Sequence, residues 1–184
     1  MIFENDEGLI TKALSGNERA WVKLVKRYEK RIYNYSLRMT GATDEAMDLV
    51  QEVFLAVFRN LPNYRGDGVF PAWLFRIASN RCTDFLRRKN TNPLMSQSQL
   101  DTEVLLSSQV ADEDIQREQG NRQVIKLLSG LTVEQRQIVE LKLFQHLTFD
   151  EIEGYTGLSA NTAKTRFYSA LRKLRSLVEV AHAV

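Results

Sequence analysis

The sequence has little of what most enzymes use for chemistry. Its 184 residues include one cysteine, Cys82, and two histidines, His146 and His182, which lie far apart. A single cysteine excludes an internal disulfide framework and suits a reducing compartment, and we expect Cys82 to be a small buried apolar residue. There is no cluster of potential metal ligands, no glycine-rich phosphate loop and no nucleophile–base pair. We therefore expect no catalytic residues, no metal, no cofactor and no enzymatic activity.

Long apolar runs and prolines are also scarce. No run of about 18 apolar residues occurs, so we expect no transmembrane helix. Residues 1–7 are acidic and lack an apolar signal region, which favours a cytoplasmic protein. The three prolines, at positions 62, 71 and 93, each lie at a plausible helix boundary.

The net charge is only +2, but it is unevenly distributed. Residues 1–90 carry 15 Lys and Arg against 11 Asp and Glu, residues 91–118 carry 1 against 6, and residues 119–184 carry 9 against 6. This pattern predicts two modules that contact a polyanion, joined by a connector that is not attracted to it. Residues 91–118 are also rich in Ser and Gln without a steady apolar period, which is typical of a flexible linker.

Helical periodicity dominates on both sides of this linker. We predict an all-α fold of two small helical domains, residues 1–90 and 119–184, joined by the flexible linker. Capping residues and helix breakers predict four helices before the linker: one over about 6–14 that ends at Gly16, one from the cap Asn17 to Gly41, one over 44–61 with Thr43 as its cap, and one from Pro71 to about 89. After the linker, the helical pattern resumes near Ile115 or Asn121. A further helix follows Thr132 and contains Ile138, Val139, Leu141 and Leu143.

Residues 147–175 predict two helices joined by a tight turn. Thr148 and Glu151 form a capping box, Gly157 suits the left-handed end of the first helix, and Ser159 can cap the second. The second helix separates two faces: Ala163, Phe167, Ala170, Leu171, Leu174, Leu177 and Val178 on one, and Asn161, Lys164, Thr165, Tyr168, Ser169 and Arg172 on the other. The polar face suits a DNA major groove, although a charged face is also often merely solvated.

The third and fourth helices carry further polar faces. Asp48, Gln51, Glu52 and Leu55 share one side of the third helix, and the rest is strongly apolar: Ala46, Val50, Val53, Phe54, Val57, Phe58 and Leu61. This stripe is either solvated or a docking face for a basic partner. On the fourth helix, the side opposite Leu74, Ile77, Ala78, Cys82 and Phe85 carries Trp73, Arg76, Asn80, Thr83, Asp84 and Arg87, followed by Arg88 and Lys89. Such a face suits unstacked bases and phosphates, unless Trp73 belongs to the core and the arginines are solvated.

The order of these motifs resembles the extracytoplasmic-function sigma factors, the smallest group of the bacterial sigma-70 family. The matching segments are Asp48-Leu49-Val50-Gln51-Glu52-Val53-Phe54, Tyr64-Arg65-Gly66-Asp67, Trp73-Leu74-Phe75-Arg76-Ile77-Ala78-Ser79-Asn80, then residues 131–141 and 158–166. The final hairpin is shared with many regulators, but the first three motifs in this order are specific. They also disfavour two other hypotheses, a stand-alone helix-turn-helix regulator and a helical adaptor without a nucleic-acid role.

The resemblance implies a division of labour. Residues 1–90 would be sigma domain 2, which binds core RNA polymerase and the −10 promoter element, and residues 119–184 would be sigma domain 4, which binds the −35 element. By position, Asp48, Gln51, Glu52 and Leu55 would contact core polymerase. Arg65, Asp67, Trp73, Arg76, Asn80, Asp84, Arg87 and Arg88 would bind −10 DNA. Lys142, Ser159, Asn161, Thr162, Lys164, Thr165, Arg166, Tyr168, Ser169 and Arg172 would bind −35 DNA.

The family also implies an anti-sigma protein that restrains the factor. The chain departs from the family pattern at Glu153 and Ala163, where the family has a small and a larger β-branched residue respectively, and at Asn161, where glycine is frequent. Glu153 in particular stands where close packing of the two hairpin helices favours a small side chain. These three positions bear on the hairpin geometry and on promoter preference.

Overall fold

The computed structural model describes residues 5–66, 68–91 and 122–182, with side chains up to residue 179. Within these ranges every regular element is a helix, which confirms the all-α class of two small helical domains. The predicted linker beyond Thr91, the helix start near Ile115 or Asn121, and Asp67 lie outside the described residues. In the described part of the chain, no helix combines the length and the apolar character needed to cross a membrane.

The first helical bundle contains four helices and one short turn. They are α1 (Asp6–Leu14), α2 (Glu18–Thr40), α3 (Thr43–Asn60), a 3-10 turn (Leu61–Asn63) and α4 (Phe70–Thr91). The long helix α2 packs against α1, α3 and α4 and places Leu24, Ile32, Tyr35 and Met39 in the core. Burial of these large apolar side chains is the main favourable term that holds the bundle together.

Local caps set most of these bounds as predicted. The side chain of Asn17 accepts a hydrogen bond from the backbone N–H of Ala20 at 3.1 Å, and Gly41 ends α2 with φ of 81°. The predicted cap at Thr43 is wrong. Thr43 is already helical, and Ala42 occupies the cap position without a side-chain hydrogen bond. Helix α3 therefore starts from the extended backbone of Ala42 rather than on a side-chain cap.

The second bundle follows the undescribed segment. It comprises α5 (residues 122–129), α6 (Val133–Val139), a π-helical turn (Glu140–Phe144), α7 (Phe149–Thr156) and α8 (Ala160–His182). Both predicted capping sites are present, because the side chains of Thr132 and Thr148 each form a reciprocal capping box three residues into α6 and α7. The π-helical turn was not predicted. It precedes His146, whose backbone is left-handed with φ of 57°.

The burial of three side chains can be compared with the burial that the sequence predicts. Cys82 is fully buried, and burial raises the pKa of its thiol to about 12, which confirms its interpretation as a core residue. Phe58, predicted on the apolar side of α3, is 58% exposed even though a ring from α2, that of Trp21, packs edge-on against it. Thr83 was assigned to the exposed face of α4 but is buried where the second bundle packs against that helix.

Candidate nucleic-acid interface

Helix α3 presents a stripe of exposed side chains opposite its contact with α2. Asp48, Gln51, Glu52 and Leu55 are all exposed, as their shared face predicted. Their exposure follows from the burial of Leu49, Val53, Ala56 and Val57 on the other side of the same helix. The stripe is thus positioned by core packing and is free to meet a partner.

The stripe is less acidic than the sequence indicated, because apolar side chains lie along it. Met47 and Phe58 are each more than half exposed, and Leu55 lies between them. The ring of Trp21 from α2 packs edge-on against Phe58, with centroids 5.2 Å apart, and supports it from behind. The spacing 47, 51, 55, 58 is the signal that could have placed Met47 and Phe58 on this face. The arrangement offers both carboxylates and apolar contact area.

Helix α4 and the end of α3 enclose a hollow of about 430 Å³. Trp73, Arg76, Asn80 and Asp84 line it from α4, as predicted for one face. Asn60 and Asn63, which the helical pattern of α4 does not indicate, line it from the opposite wall. Three exposed amide side chains, those of Asn60, Asn63 and Asn80, face a space large enough for a nucleobase. Amides supply both donors and acceptors, which base edges require.

Trp73 lies in an aromatic cluster beside this hollow. Its ring is half-buried and tilted against the rings of Tyr64 and Phe70, with centroids 5.2 and 5.8 Å away. The hydroxyl of Tyr64 donates to the carbonyl of Gly68 and closes the preceding loop, in which Arg65 is exposed. Trp73 is therefore partly core and partly accessible. Arg76, Arg87 and Arg88 are exposed along α4.

Helix α8 carries the predicted two faces. Ala163, Phe167 and Ala170 are buried against α6 and α7, and Val178, which was assigned to the same face, lies 36% exposed near the end of the helix. On the opposite side the exposed residues are Asn161, Lys164, Thr165, Tyr168 and Arg172. Tyr168 is 52% exposed, and its ring packs edge-on against Phe167 at 5.6 Å. The exposed side chains of this face thus span about three helical turns.

The other residues predicted for this interface are engaged in the fold. Ser159 accepts from the N–H of Thr162 and caps α8, while its hydroxyl lies 2.8 Å from that of Thr162. Ser169 accepts from the Nε2 of Gln135 on α6. The Nζ of Lys142 donates to the carbonyl of Leu147. Arg166 is half-buried and faces a cleft toward the first bundle rather than the open side of α8.

The three family departures are accommodated without distortion of the hairpin. Glu153 is exposed, and its Oε2 accepts a hydrogen bond from the backbone N–H of Ala160 at 2.9 Å, so that it satisfies the first turn of α8. The concern that Glu153 disturbs the packing of the two helices is therefore wrong. Ala163 is fully buried, and Asn161 is exposed with its carbonyl accepting from the Thr165 hydroxyl.

Comparison with known proteins assigns both bundles. A family model described as Sigma-70 region 2 matches residues 24–91, and one described as Sigma-70, region 4 matches residues 121–174, together about two thirds of the chain. The RNA polymerase sigma-H factor of Pseudomonas aeruginosa is 27% identical, with 91% of this chain and 90% of that protein covered. The ECF RNA polymerase sigma factor SigW of Bacillus subtilis is 28% identical, with 90% and 92% covered.

Two solved structures share the fold. CnrH, determined in complex with the cytosolic domain of CnrY, superimposes with a TM-score of 0.68 at 24% identity and covers 95% of this chain and 97% of its own. The sigma factor RpoE of Bartonella quintana, determined with the anti-sigma factor NepR, gives 0.66 at 19% identity and covers 86% and 96%. This chain thus has the same arrangement of helices as these two solved structures. With both regions matched in order along nearly the same length as its relatives, the chain belongs to the extracytoplasmic-function sigma factors of the sigma-70 family.

Proposed function

We propose that the three exposed faces on α3, α4 and α8 divide the work of this sigma factor between core RNA polymerase, the −10 element and the −35 element. The observation that carries the proposal is that each face is held outward by a buried apolar side of the same helix. A sigma factor makes no covalent chemistry of its own, and the catalysis belongs to core polymerase. The domain bounds 1–90, 91–118 and 119–184 are part of the proposal.

Core polymerase contacts the stripe on α3. Asp48, Gln51 and Glu52 supply charge and hydrogen-bonding groups, and Leu55 supplies apolar area at its centre. Exposed apolar side chains beside carboxylates support a protein partner with a basic, partly apolar surface. Because Met47, Leu55 and Phe58 are exposed together beside the carboxylates, this combination favours docking over a solvated stripe.

The −10 element is read as separated strands by α4 and the loop before it. The hollow around Asn80 has the size and the donors and acceptors to hold an unstacked base, and the accessible part of Trp73 offers a stacking surface. Arg65, Arg76, Arg87 and Arg88 are placed for phosphates. Capture of unstacked bases offsets the few kcal/mol of stacking lost for each base.

The −35 element is read as duplex by the front of α8. Lys164, Thr165 and Tyr168 lie close to the helix start, where side chains of a recognition helix reach base edges. Arg172 lies two turns further along and is placed for a phosphate contact, which positions the protein without specifying sequence.

A protein partner restrains the factor when it is not needed. The solved relatives with this fold are recorded in complexes, one with the cytosolic domain of CnrY and one with the anti-sigma factor NepR. We extend this kind of partner to the present chain. Because core polymerase and promoter DNA are in the bacterial cytoplasm, the factor acts there.

Charge reversal on α3 tests the polymerase contact. Asp48→Lys with Glu52→Lys should abolish or strongly reduce retention of the full chain by immobilised core polymerase. Glu18→Lys with Glu29→Lys makes the same change in net charge at exposed positions on α2 and should leave retention unchanged. Equal retention of both double variants, with normal helical circular dichroism, would remove α3 from the interface.

A further inference from the structure

The ring of Phe149 lies beside the ammonium groups of two lysines predicted for the −35 interface. The Nζ of Lys142, in the π-helical turn, is 4.9 Å from the ring centre, and the Nζ of Lys164, on α8, is 5.8 Å from it. Both distances are within the range of about 6 Å over which an aromatic ring attracts a cation. Phe149 is the first residue of α7, so one ring connects three elements of the second bundle.

The fold holds this ring in one place. Phe149 is half-buried, and its ring packs edge-on against the buried ring of Phe167, with centroids 5.7 Å apart. The preceding residue, Thr148, forms the capping box that fixes the start of α7. A lysine side chain, by contrast, has many rotamers and loses them only where a contact holds it. The fixed ring can therefore orient a flexible lysine.

The two lysines differ in how they are held. The Nζ of half-buried Lys142 donates to the carbonyl of Leu147 at 2.9 Å, so this side chain has a second, directional contact. Lys164 is exposed, and within the described residues it forms no ion pair. The ring of Phe149 is thus the group that can hold the ammonium of Lys164 in the free protein.

An aromatic ring suits this position better than a carboxylate would. The face of the ring attracts a cation through its quadrupole but carries no net charge. A carboxylate in the same place would orient the ammonium group and also neutralise it, whereas binding to DNA depends on positive charge. Beside Phe149, the charge of Lys164 stays available to the acceptor atoms of guanine.

We propose that Phe149 is a positioning residue for recognition of the −35 element. Its ring holds the ammonium group of Lys164 at the front of α8 and thereby sharpens the preference at the base pair that Lys164 contacts. This proposal rests on the proposed function, in which Lys164 reads a base edge, and Phe149 itself needs no contact with DNA. Loss of the ring frees the Lys164 side chain to adopt other rotamers, so the same base contact then requires more ordering when it forms.

A purely structural role for Phe149 makes different predictions. The ring also buries apolar area against Phe167, and an apolar side chain of similar size would share that role. Phe149→Leu and Phe149→Met keep much of this area and lack the ring face, whereas Phe149→Tyr keeps the ring. Tyr155→Leu is the matched control. It removes a half-buried ring from the same helix, and in the part of the chain that the structure describes this ring has no cation beside it.

NMR of the free full chain measures the contact without DNA or polymerase. A side chain over the face of a ring experiences a ring current, so the methylene protons next to the Nζ of Lys164 should resonate upfield of those of the exposed Lys173. In Phe149→Leu and Phe149→Met this resonance should move to the position seen for Lys173, and in Phe149→Tyr and Tyr155→Leu it should stay. An unshifted Lys164 resonance in the wild-type protein would overturn the proposal.

Selection from a promoter library by core polymerase bound to the full chain measures the consequence for recognition. A cation–π contact at an exposed site corresponds to about a two- to fivefold change in an equilibrium constant. Phe149→Leu should reduce selectivity at the base pair read by Lys164 by that factor, while Phe149→Tyr and Tyr155→Leu should retain it. In a Lys164→Ala background, Phe149→Leu should cause no further loss of selectivity, because the ring then has no ammonium to position. A structural role would instead weaken all promoters alike and would persist in that background.

The outcomes separate this proposal from the proposed function. If Lys164→Ala changes the −35 preference but Phe149→Leu and Phe149→Met do not, Phe149 is not a positioning residue and the proposed function stands. If Lys164→Ala leaves the preference unchanged, the assignment of Lys164 to a base is wrong, and the positioning role is overturned with it. Circular dichroism checks that each variant is folded, and Phe149→Met, which is unbranched and adaptable, replaces Phe149→Leu if that variant does not fold.

Discussion

The carboxylate of Glu153 caps the helix that follows it, through a hydrogen bond of 2.9 Å from the backbone N–H of Ala160 to Oε2. The two residues lie on either side of the hairpin turn, so the bond ties the end of α7 to the start of α8. A negative charge at a helix N-terminus is also favoured by the helix dipole. The residue that departs from the family at this position therefore stabilises the hairpin.

We predict that Glu153→Ala lowers the free energy of unfolding of the protein by about 1 kcal/mol, the usual loss for a helix cap. Glu153→Gln keeps an acceptor oxygen and should lose less. Urea denaturation followed by circular dichroism measures both. A more stable Glu153→Ala protein would mean that the side chain strains the hairpin after all.

A second cap predicts a pH dependence. Hydrogen bonds from the backbone N–H and the hydroxyl of Thr148 lower the pKa of Glu151 below its ordinary value. A carboxylate with a lowered folded pKa stabilises the fold above its unfolded pKa, and this contribution disappears as the pH falls through the folded pKa. NMR titration should show Glu151 protonating at a lower pH than glutamates in unfolded peptides. Thr148→Ala should return it toward the ordinary range.

The sequence predicted the features that local chemistry decides. The caps at Asn17, Thr132 and Thr148 depend on residues three positions apart, and the left-handed end at Gly157 depends on one residue. The outward faces of α3 and α8 followed from helical periodicity. These features need no knowledge of the rest of the fold.

The features that the sequence did not predict depend on contacts between residues that are distant in sequence. Glu140 is fully buried because Arg38, 102 positions earlier, compensates its charge, and nothing near Glu140 in sequence indicates this. Thr83 is buried by the approach of the second bundle, and Phe58 is 58% exposed although the Trp21 ring of α2 packs edge-on against it. The hollow around Asn80 similarly required Asn60 and Asn63 from another element.

Substitutions in two groups of residues on α8 should have different effects on promoter binding. Lys164→Ala and Thr165→Ala should change which −35 sequences are preferred, at roughly 1–3 kcal/mol for a good base contact. Arg172→Ala should weaken all promoters about equally and reduce the salt dependence of binding. Selection from a promoter library by the holoenzyme measures both effects. An unchanged −35 preference in both base-contact variants would place the wrong face of α8 in the groove.

The hollow on α4 predicts a defect in melting. Asn80→Ala should reduce open-complex formation more than initial promoter binding, because the amide meets a base only after the strands separate. Permanganate footprinting of the holoenzyme on one promoter measures the melted thymines. Asn90→Ala, outside the hollow on the same helix, is the control and should melt normally. Normal melting by Asn80→Ala would remove this residue from −10 recognition.

The thiol of Cys82 should not react with thiol reagents in the native protein. Its pKa of about 12 and its full burial leave almost no accessible thiolate at pH 8. A thiol-reactive dye should therefore label the wild-type protein only after denaturation, whereas an exposed cysteine introduced as Lys26→Cys should react at once. Rapid labelling of the native wild-type protein would show that the core around Cys82 opens on the time scale of the reaction.

Run-off transcription with purified core RNA polymerase tests the central claim most directly. The templates are a library of promoters that differ in their −10 and −35 sequences, each transcribed by core alone, by core with the chain, and by core with the Asp48→Lys, Glu52→Lys double variant. We predict defined transcripts from a subset of promoters only when core and the wild-type chain are both present. Promoter-specific duplex binding by the chain alone, with no transcript from any template in the presence of core, would contradict the account and identify a stand-alone regulator instead.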